Sequence, residues 1–302
     1  MTFVRALPFA VLGLLPAPGP AAADTPAGPP AAIHARDDRG RDVTLAAPAR
    51  RAVTLAPHAT ELVYAAGAGA YLVATIRGSD YPPAARALPV IGDGTQPDPE
   101  RVAAARPDLV IAWQPSAAAP LARVMDKLGV AVYYSDPQTL AAIPDAVERL
   151  GVLFGTEAQA GPTAQALRAR LDALAARYAG RAPVRVFVQA GLDPIYTLNH
   201  ASIVSDALRL CGGVNVFGQA PVVAPQVSLE SVLAARPDAV LAGVSAPADT
   251  ARNLAAWRAM GLPAAQAGHV YGIDADALYR PGPRLVDAAE QLCADLDRLR
   301  QP

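Results

Sequence analysis

Seven residues set the chemistry that this chain can offer: His58, Tyr81, Trp113, Tyr196, His200, Tyr279 and Arg280. Each falls in a loop next to an apolar strand-like run. In open parallel α/β sheets, ligands sit beyond the C-terminal strand ends. The set is aromatic and weakly charged, which suits a large, flat or ring-containing ligand. It suits phosphate poorly, because no glycine-rich phosphate loop is present. Nucleophilic catalysis finds no His/Asp/Ser constellation, no paired catalytic carboxylates and no CxxC. The stretch GVSAP at 243–247 departs from the GxSxG nucleophile elbow. His34, His58, His200 and His269 are scattered and make no dense zinc site. A binding protein fits this inventory better than an α/β enzyme with a cleft active site.

Five of the seven also have a plainer explanation. A tryptophan at a strand end, such as Trp113, is more often core than platform. Tyr81, before Pro82 and Pro83, could simply anchor a turn. Arg280 could pair with an acidic neighbour such as Asp274 or Asp276. His58 and His200 could cap helices or bond to backbone. Their convergence on strand-end loops is what raises them above these alternatives.

The elements that must hold those loops repeat. Residues 98–110 read DPERVAAARPDLV and residues 228–240 read SLESVLAARPDAV. Glu100, Val102, Arg106, Pro107 and Asp108 recur 130 positions later as Glu230, Val232, Arg236, Pro237 and Asp238. The midpoint of Glu100 and Glu230 is position 165. It lies inside a helical stretch from Thr156 to Tyr178 in which Leu167, Leu171, Leu174 and Tyr178 share one face. Thr156 with Gln159 could form a capping box, Pro162 should kink or restart the helix, and Gly180 and Pro183 stop it. Two similar lobes joined by one long rigid helix follow.

Within each lobe, strands alternate with helices, which implies an α/β fold with parallel-rich central sheets. The first lobe opens on a strand at 52–56, and Thr60 can cap a helix running to Gly67. A strand at 72–76, the repeat helix with Asp98 at its N-cap, and a strand at 108–112 follow. Helices near 118–128 and 139–151 flank a strand at 130–134. The second lobe runs strand 184–189, a helix capped by Ser202, the repeat helix 228–235, strand 239–242, and a helix near 250–260. A strand near 269–272 precedes the final helix, about 284–300. Ahead of both lobes, AIHARDDRGRDVTL reads as a hairpin with Asp38, Arg39 and Gly40 at its turn.

The chain has 302 residues, enough for two lobes with proper cores. Its net charge of −1 makes no electrostatic case for nucleic acid or an anionic membrane surface. The N-terminus combines the basic MTFVR, a short proline-broken apolar run and an A-x-A site ending at Ala23. It reads as a signal peptide over 1–23, with no cysteine after it for a lipid anchor. The organisation read from the sequence is therefore leader 1–23, tail and hairpin 24–50, first lobe 51–155, bridging helix 156–180 and second lobe 181–302. The mature chain should be periplasmic. Cys211 and Cys293 both fall in the second lobe. Export favours a disulfide between them, closing a loop of about 80 residues and contributing up to about 4.5 kcal/mol. The alternative is two separately buried thiols.

The repeat, the bridging helix and several stretches resemble one family. The stretches are SDYPP (79–83), ERVAAARPDLVIAW (100–113), RVFVQAGLDPIYT (185–197), LCGGVNVF (210–217), PQVSLESVL (225–233) and PRLVDAAEQLCADL (283–296). The family is the periplasmic substrate-binding proteins of ABC importers that carry siderophores, haem or cobalamin, here most similar to its cobalamin-binding members. The resemblance implies class III architecture, a helical-backbone metal receptor. It implies no intrinsic cofactor and no catalysis. The cargo would be cobalamin or a related corrinoid, with haem or a ferric siderophore as the alternative. The partner would be a permease dimer in the inner membrane, met by a monomer without a membrane anchor. Glu100 and Glu230 align with acidic residues that dock onto permease arginines; a glutamate in a first helical turn would otherwise only complement the helix dipole. Trp113 and Tyr196 align with cleft aromatics. The run Asp276, Ala277, Leu278, Tyr279, Arg280 aligns with a loop that contacts the corrin ring. Cys211 and Cys293 align with the family disulfide. The chain departs from the pattern where Gly78 replaces a cleft tyrosine, and where tryptophans are missing near Thr95, at Ala224 and at Ala277.

One expectation goes beyond the resemblance. His58 and His200 both open an H-A-[Thr/Ser] triplet between a lobe's first strand and first helix. Pseudo-symmetry then places them on opposite cleft walls, where a neutral imidazole is a good ligand for cobalt or iron. At least one should approach the metal of a bound chelate. The alternative is that each ring accepts backbone N–H bonds at a helix start.

Overall fold

The computed structural model describes residues 1–2, 32–94 and 96–301. The leader read over 1–23, apart from Met1 and Thr2, lies outside the described residues, as do residues 24–31 and Thr95. Among the described residues, no helix is long and apolar enough to cross a membrane.

The hairpin read ahead of the first lobe is present: β1 (Ile33–Arg36) pairs antiparallel with β2 (Asp42–Leu45). Gly40 takes the positive φ of 76° that its turn needs. β3 (Ala52–Thr54) and α1 (Pro57–Ala65) follow, then β4 (Leu72–Ala74) and α2 (Pro99–Ala104). β5 (Leu109–Ala112), α3 (Pro115–Lys127), β6 (Ala131–Tyr134) and α4 (Ala142–Phe154) complete the first half. Its four strands form one parallel sheet in the order β4-β3-β5-β6.

The bridging helix α5 (Glu157–Tyr178) has 22 residues and runs unbroken through Pro162. The expected restart is absent. Pro162 deprives only the carbonyl of Ala158 of its helical partner, and Ala158 is exposed, so water can satisfy it. The expected capping box is also absent. The Thr156 hydroxyl instead donates to the carbonyl of Ala66 at 2.6 Å, past the end of α1, where a helix leaves its carbonyls unpartnered.

The second half repeats the plan. β7 (Val184–Gln189) leads into a small antiparallel hairpin, β8 (Gly191–Leu192) and β9 (Ile195–Tyr196), in what the sequence suggested was plain loop. Then come α6 (Ile203–Leu210), β10 (Gly213–Asn215), α7 (Leu229–Ala235), β11 (Ala239–Val244), α8 (Pro247–Ala259) and α9 (Pro263–Gln266). β12 (Val270–Asp274), α10 (Ala275–Tyr279) and α11 (Pro283–Leu299) close it. The sheet is parallel, in the order β10-β7-β11-β12. In both sheets the second strand in sequence lies on one side of the first and the third on the other. This is the topological switch beside which α/β folds place ligands.

Burial explains why the halves hold together. Each sheet has its own outer core, built on Val53, Val110 and Met125 in one and on Phe187, Val240 and Trp257 in the other. A third cluster is shared: it runs from Leu62 and Phe154 through Leu167 and Leu171 of α5 to Leu285 and Leu292. Two arginines brace α5 on either side. Arg168 pairs with Asp145 and Glu148 of α4, and Arg170 with Asp287 and Glu290 of α11. These pairs are partly exposed and contribute up to about 1 kcal/mol each. The shared apolar seam does most of the joining.

Candidate functional site

The first wall is built on α1 and the ends of β5 and β6. Helix α1 starts at Pro57, with Ala56 as a residue without a capping side chain. Thr60 therefore does not cap it, as expected from sequence, but sits one turn inside. Its hydroxyl joins a buried trio with Thr54 at 2.7 Å and Thr75 at 3.0 Å. This pulls His58 into the first turn of the helix. The ring is 3% exposed, and Nε2 meets the backbone carbonyl of Ser135 at 3.0 Å. Burial lowers the His58 pKa to about 4, against the opposing pull of the Ser135 carbonyl and the Asp136 charge. Trp113, just past β5, packs edge-on against this ring with centroids 5.6 Å apart. Its indole Nε1 donates to Asp136 Oδ1 at 2.8 Å, and the residue remains 38% exposed. Trp113 is thus an exposed aromatic backed by a buried imidazole and aimed by a carboxylate.

Asp136 is held in turn by the hairpin. Its backbone N–H donates to Asp38 Oδ2 at 2.6 Å, and Asp38 pairs with Arg149, which also reaches the Tyr133 hydroxyl at 2.9 Å. Burial pushes the Asp38 carboxyl up and the Tyr133 hydroxyl up to about 12. The hairpin between β1 and β2 therefore buttresses the loop that aims Trp113.

The second wall stands on the ends of β7, β11 and β12. The hairpin of β8 and β9 lifts Tyr196 to the surface, 38% exposed. Tyr279 turns inward: its hydroxyl donates to the carbonyl of Gln189 at 3.0 Å and accepts from the N–H of Gly243 at 3.2 Å. Gly243 has to be glycine, because a Cβ there would lie 2.3 Å from the Tyr279 ring. His200 precedes α6, is exposed, and has Nδ1 2.5 Å from the carbonyl of Gly218.

The walls meet at Glu61, one turn along α1 from His58. Its carboxylate is 2% exposed. Arg284 grips it twice, Nε to Oε2 at 3.0 Å and Nη2 to Oε1 at 2.6 Å. Arg280 Nη1 reaches the same carboxylate at 3.3 Å and Asp80 at 2.9 Å, while its Nη2 holds Asp276 at 2.7 Å. The Arg284 guanidinium also lies 4.3 Å from the centroid of the Tyr81 ring. Burial would raise the Asp80 pKa, but Arg280 outweighs it and leaves the carboxyl below its usual range. Glu61, Asp80 and Arg284 were not legible as site residues. The one signal was a lone acidic residue among apolar neighbours in PHATELVYA, which must be paired if buried.

The structure corrects several expectations. His58 is buried in its own half and bonded there, so the paired placement of His58 and His200 on opposite cleft walls fails. The shared triplet is read differently because one histidine is inside a helix and the other ahead of one. Leu278 is fully buried in the shared core, and Ala277 packs against that core. In a short helix, residues four apart share a face and the residue midway points away. Asp276 and Arg280 therefore face the cleft side while Leu278 cannot. Tyr279 is committed to backbone bonds. Arg280 pairs with Asp276, one of the neighbours its plainer alternative named, and also with two acids of the other half. Gly78 is exposed at a positive φ of 83°. That backbone disfavours the aromatic residue it stands in for.

Glu100 and Glu230 sit exposed in the first turns of α2 and α7, after the N-caps Asp98 and Ser228. Hydrogen bonds from its own N–H and from Ser228 hold the Glu230 carboxyl below its usual range. Cys211 and Cys293 form a disulfide that ties α11 to the end of α6.

Comparison with known proteins places this architecture. A family model described as periplasmic binding protein matches residues 53–277. The chain belongs to the periplasmic binding proteins. A vitamin B12-binding protein of Vibrio cholerae is 40% identical over 251 residues, covering 82% of this chain and 90% of that protein. The crystal structure of the periplasmic vitamin B12 binding protein BtuF of Vibrio cholerae superposes with a TM-score of 0.77 at 38% identity. It covers 84% of this chain and 99% of that one. The periplasmic heme-binding protein RhuT from Roseiflexus has a TM-score of 0.71 at 24% identity, covering 83% of this chain and 99% of that one, and shares the fold alone. The two parallel sheets and the long α5 of this periplasmic binding protein are the class III arrangement expected from its sequence.

Proposed function

We propose that this periplasmic binding protein captures cobalamin or a related corrinoid between its two halves and hands it to an ABC permease. The observation that supports this most is the pair of exposed aromatics, Trp113 and Tyr196, at strand ends of the two sheets. The halves are bridged by Arg280 of the second, which pairs with Glu61 and Asp80 of the first. A macrocycle offers two apolar faces for such rings and a polar rim for the charged pair. The chain's own residues bind and orient; no catalytic step is assigned, and the protein is proposed not to be an enzyme. Tyr81 joins Trp113, Tyr196 and Asp276 as ligand contacts, with exposed His200 as a further candidate at the rim, while Arg280 holds Asp80 and Asp276 in place from beneath. Glu100 and Glu230, both exposed, are proposed to dock on the permease, one from each half. The remaining proposals are export directed by residues 1–23 with cleavage near Ala23, lobes at 51–155 and 181–302, and a monomeric carrier.

Haem or a ferric siderophore is a second reading, favoured by one observation: Gly78, Ala224 and Ala277 offer no aromatic side chain, so the platform is thin. An absorption spectrum of the protein purified from its native host decides between the two, followed by titration with cyanocobalamin, haemin and a ferric hydroxamate. Corrinoid bands and saturable cyanocobalamin binding are expected. A haem Soret band, or no cyanocobalamin binding, would overturn the corrinoid reading.

A further inference from the structure

The corner where the halves meet contains two arginines, and neither is available to a ligand. Arg284 is consumed by the two oxygens of Glu61 and by the face of Tyr81, and is 17% exposed. Arg280 is consumed by Glu61, Asp80 and Asp276, and is 14% exposed. The acids around them are more open. Asp80 and Asp276 each leave 48% of the side chain exposed, and Asp274, 3.8 Å from Arg284, leaves 60%. Four carboxylates face these two guanidiniums, and a third guanidinium, that of exposed Arg86, donates to the Asp80 backbone carbonyl at 3.1 Å, so one negative charge is left in excess. Arg280 and Arg284 are underneath and the negative oxygens that pair with them are on top. Asp136 beside Trp113 adds a further carboxylate to the same cleft.

Glu61 creates this inversion. Without it, the charges of the corner would balance, and Arg284 would lose both of its hydrogen bonds and stand free to pair with a ligand carboxylate. A buried carboxylate is stable only when paired, so Glu61 also commits both arginines to this one geometry. That geometry spans the halves: Glu61, Asp80 and Tyr81 belong to the first, and Arg280, Arg284, Asp274 and Asp276 to the second.

We propose that Glu61 is a specificity-determining residue: by occupying Arg280 and Arg284 and adding the charge that makes the corner acidic, it lets the cleft select ligands rimmed with neutral amide donors and reject ligands that carry carboxylates. This rests on the corrinoid reading and deepens it. Corrinoids present amide N–H groups around the ring, which exposed carboxylate oxygens can accept. Haem presents two propionates, which meet like charge here, and like-charge contacts cost binding heavily.

The test compares cyanocobalamin and haemin on the full mature chain by titration of absorbance or of tryptophan fluorescence. The wild type should prefer cyanocobalamin by about 100-fold or more, and Glu61→Gln should narrow that ratio by about tenfold, mainly through tighter haemin binding. Should Glu61→Gln fail to fold, Asp80→Asn removes one exposed charge and leaves the Glu61 pairs in place. It should narrow the ratio in the same direction, and the change should shrink at high salt. An unchanged ratio in folded Glu61→Gln and in Asp80→Asn overturns the proposal, as does a wild type that binds haemin more tightly. A wild type that binds no cyanocobalamin overturns the functional reading beneath it instead.

Discussion

The two halves are built around the same corner and differ in what stands on it. In the first, Asp108 accepts the backbone N–H groups of Arg50 and Arg51, and the Arg51 guanidinium reaches the carbonyls of Ala105 and Arg106. In the second, Asp238 accepts the N–H of Arg185, and Arg185 reaches the carbonyls of Ala235 and Arg236. Arg106 and Arg236 even share a left-handed backbone, at φ 48° and 46°. What was repeated is a helix end locked to the start of a central strand. The opposite ends of those strands diverged: a buried histidine behind a tryptophan in one half, a raised tyrosine hairpin in the other. The frame repeats because packing constrains it, and the cleft walls differ because a ligand without two-fold symmetry does not need equal walls.

The comparison can be broken or sharpened by experiment. The largest effect should come from the staple present in only one half. Replacing Cys211 and Cys293 by alanine removes a cross-link over 82 positions and should cost about 2–5 kcal/mol. Each half carries one tryptophan, so denaturation followed through Trp257 in Trp113→Phe, and through Trp113 in Trp257→Phe, reports each half. The Trp257 transition should move more; equal shifts would mean that the halves unfold as one.

The buried histidine should make the first half acid-sensitive. The His58 pKa falls from 6.5 unfolded to about 4 folded, so between those values the unfolded chain holds a proton that the folded chain does not. Stability is therefore lost as pH falls from 6.5 to 4, reaching about 3 kcal/mol for this residue. Urea denaturation at pH 7, 5.5 and 4.5 should show a shallower fall in His58→Gln. Parallel curves for the two proteins would refute the assignment.

The repeated corners should be similar but unequal. Asp108→Ala leaves two backbone N–H groups unpaired and should cost about 2 kcal/mol, whereas Asp238→Ala leaves one and should cost about 1 kcal/mol. The reverse order would show that the corners only look alike. The smallest effect on folding should come from Glu100→Ala and Glu230→Ala, whose side chains are exposed. Melting temperature and ligand affinity should stay the same while delivery to the permease drops, most clearly at low salt. Lost ligand affinity would instead place these glutamates in the binding site.

Much of the frame was legible because periodic burial writes itself into sequence. The strand Val184–Gln189, the caps Asp98 and Ser202 and the buried face of α5 were read correctly from spacing and residue type. The misreadings share a cause. Thr60 and Thr156 looked like caps, but their hydroxyls serve distant partners, Thr54 and Thr75 in one case and Ala66 in the other. Leu278 looked like part of a contact loop until α10 turned it into the core. A local rule fails wherever a side chain's partner is remote in sequence.

The sequence by itself determined two repeated α/β halves, the helix between them and the position of Trp113 past a strand end. These follow from periodicities of two and 3.6 and from repeats, which need no knowledge of distant contacts. Only the tertiary structure decided that His58 backs Trp113 instead of facing a ligand, and that Glu61 gathers two arginines from more than 200 positions away. A buried charge is tolerable only beside its partner, and which residues become neighbours across the halves is set by how the two sheets pack around α5.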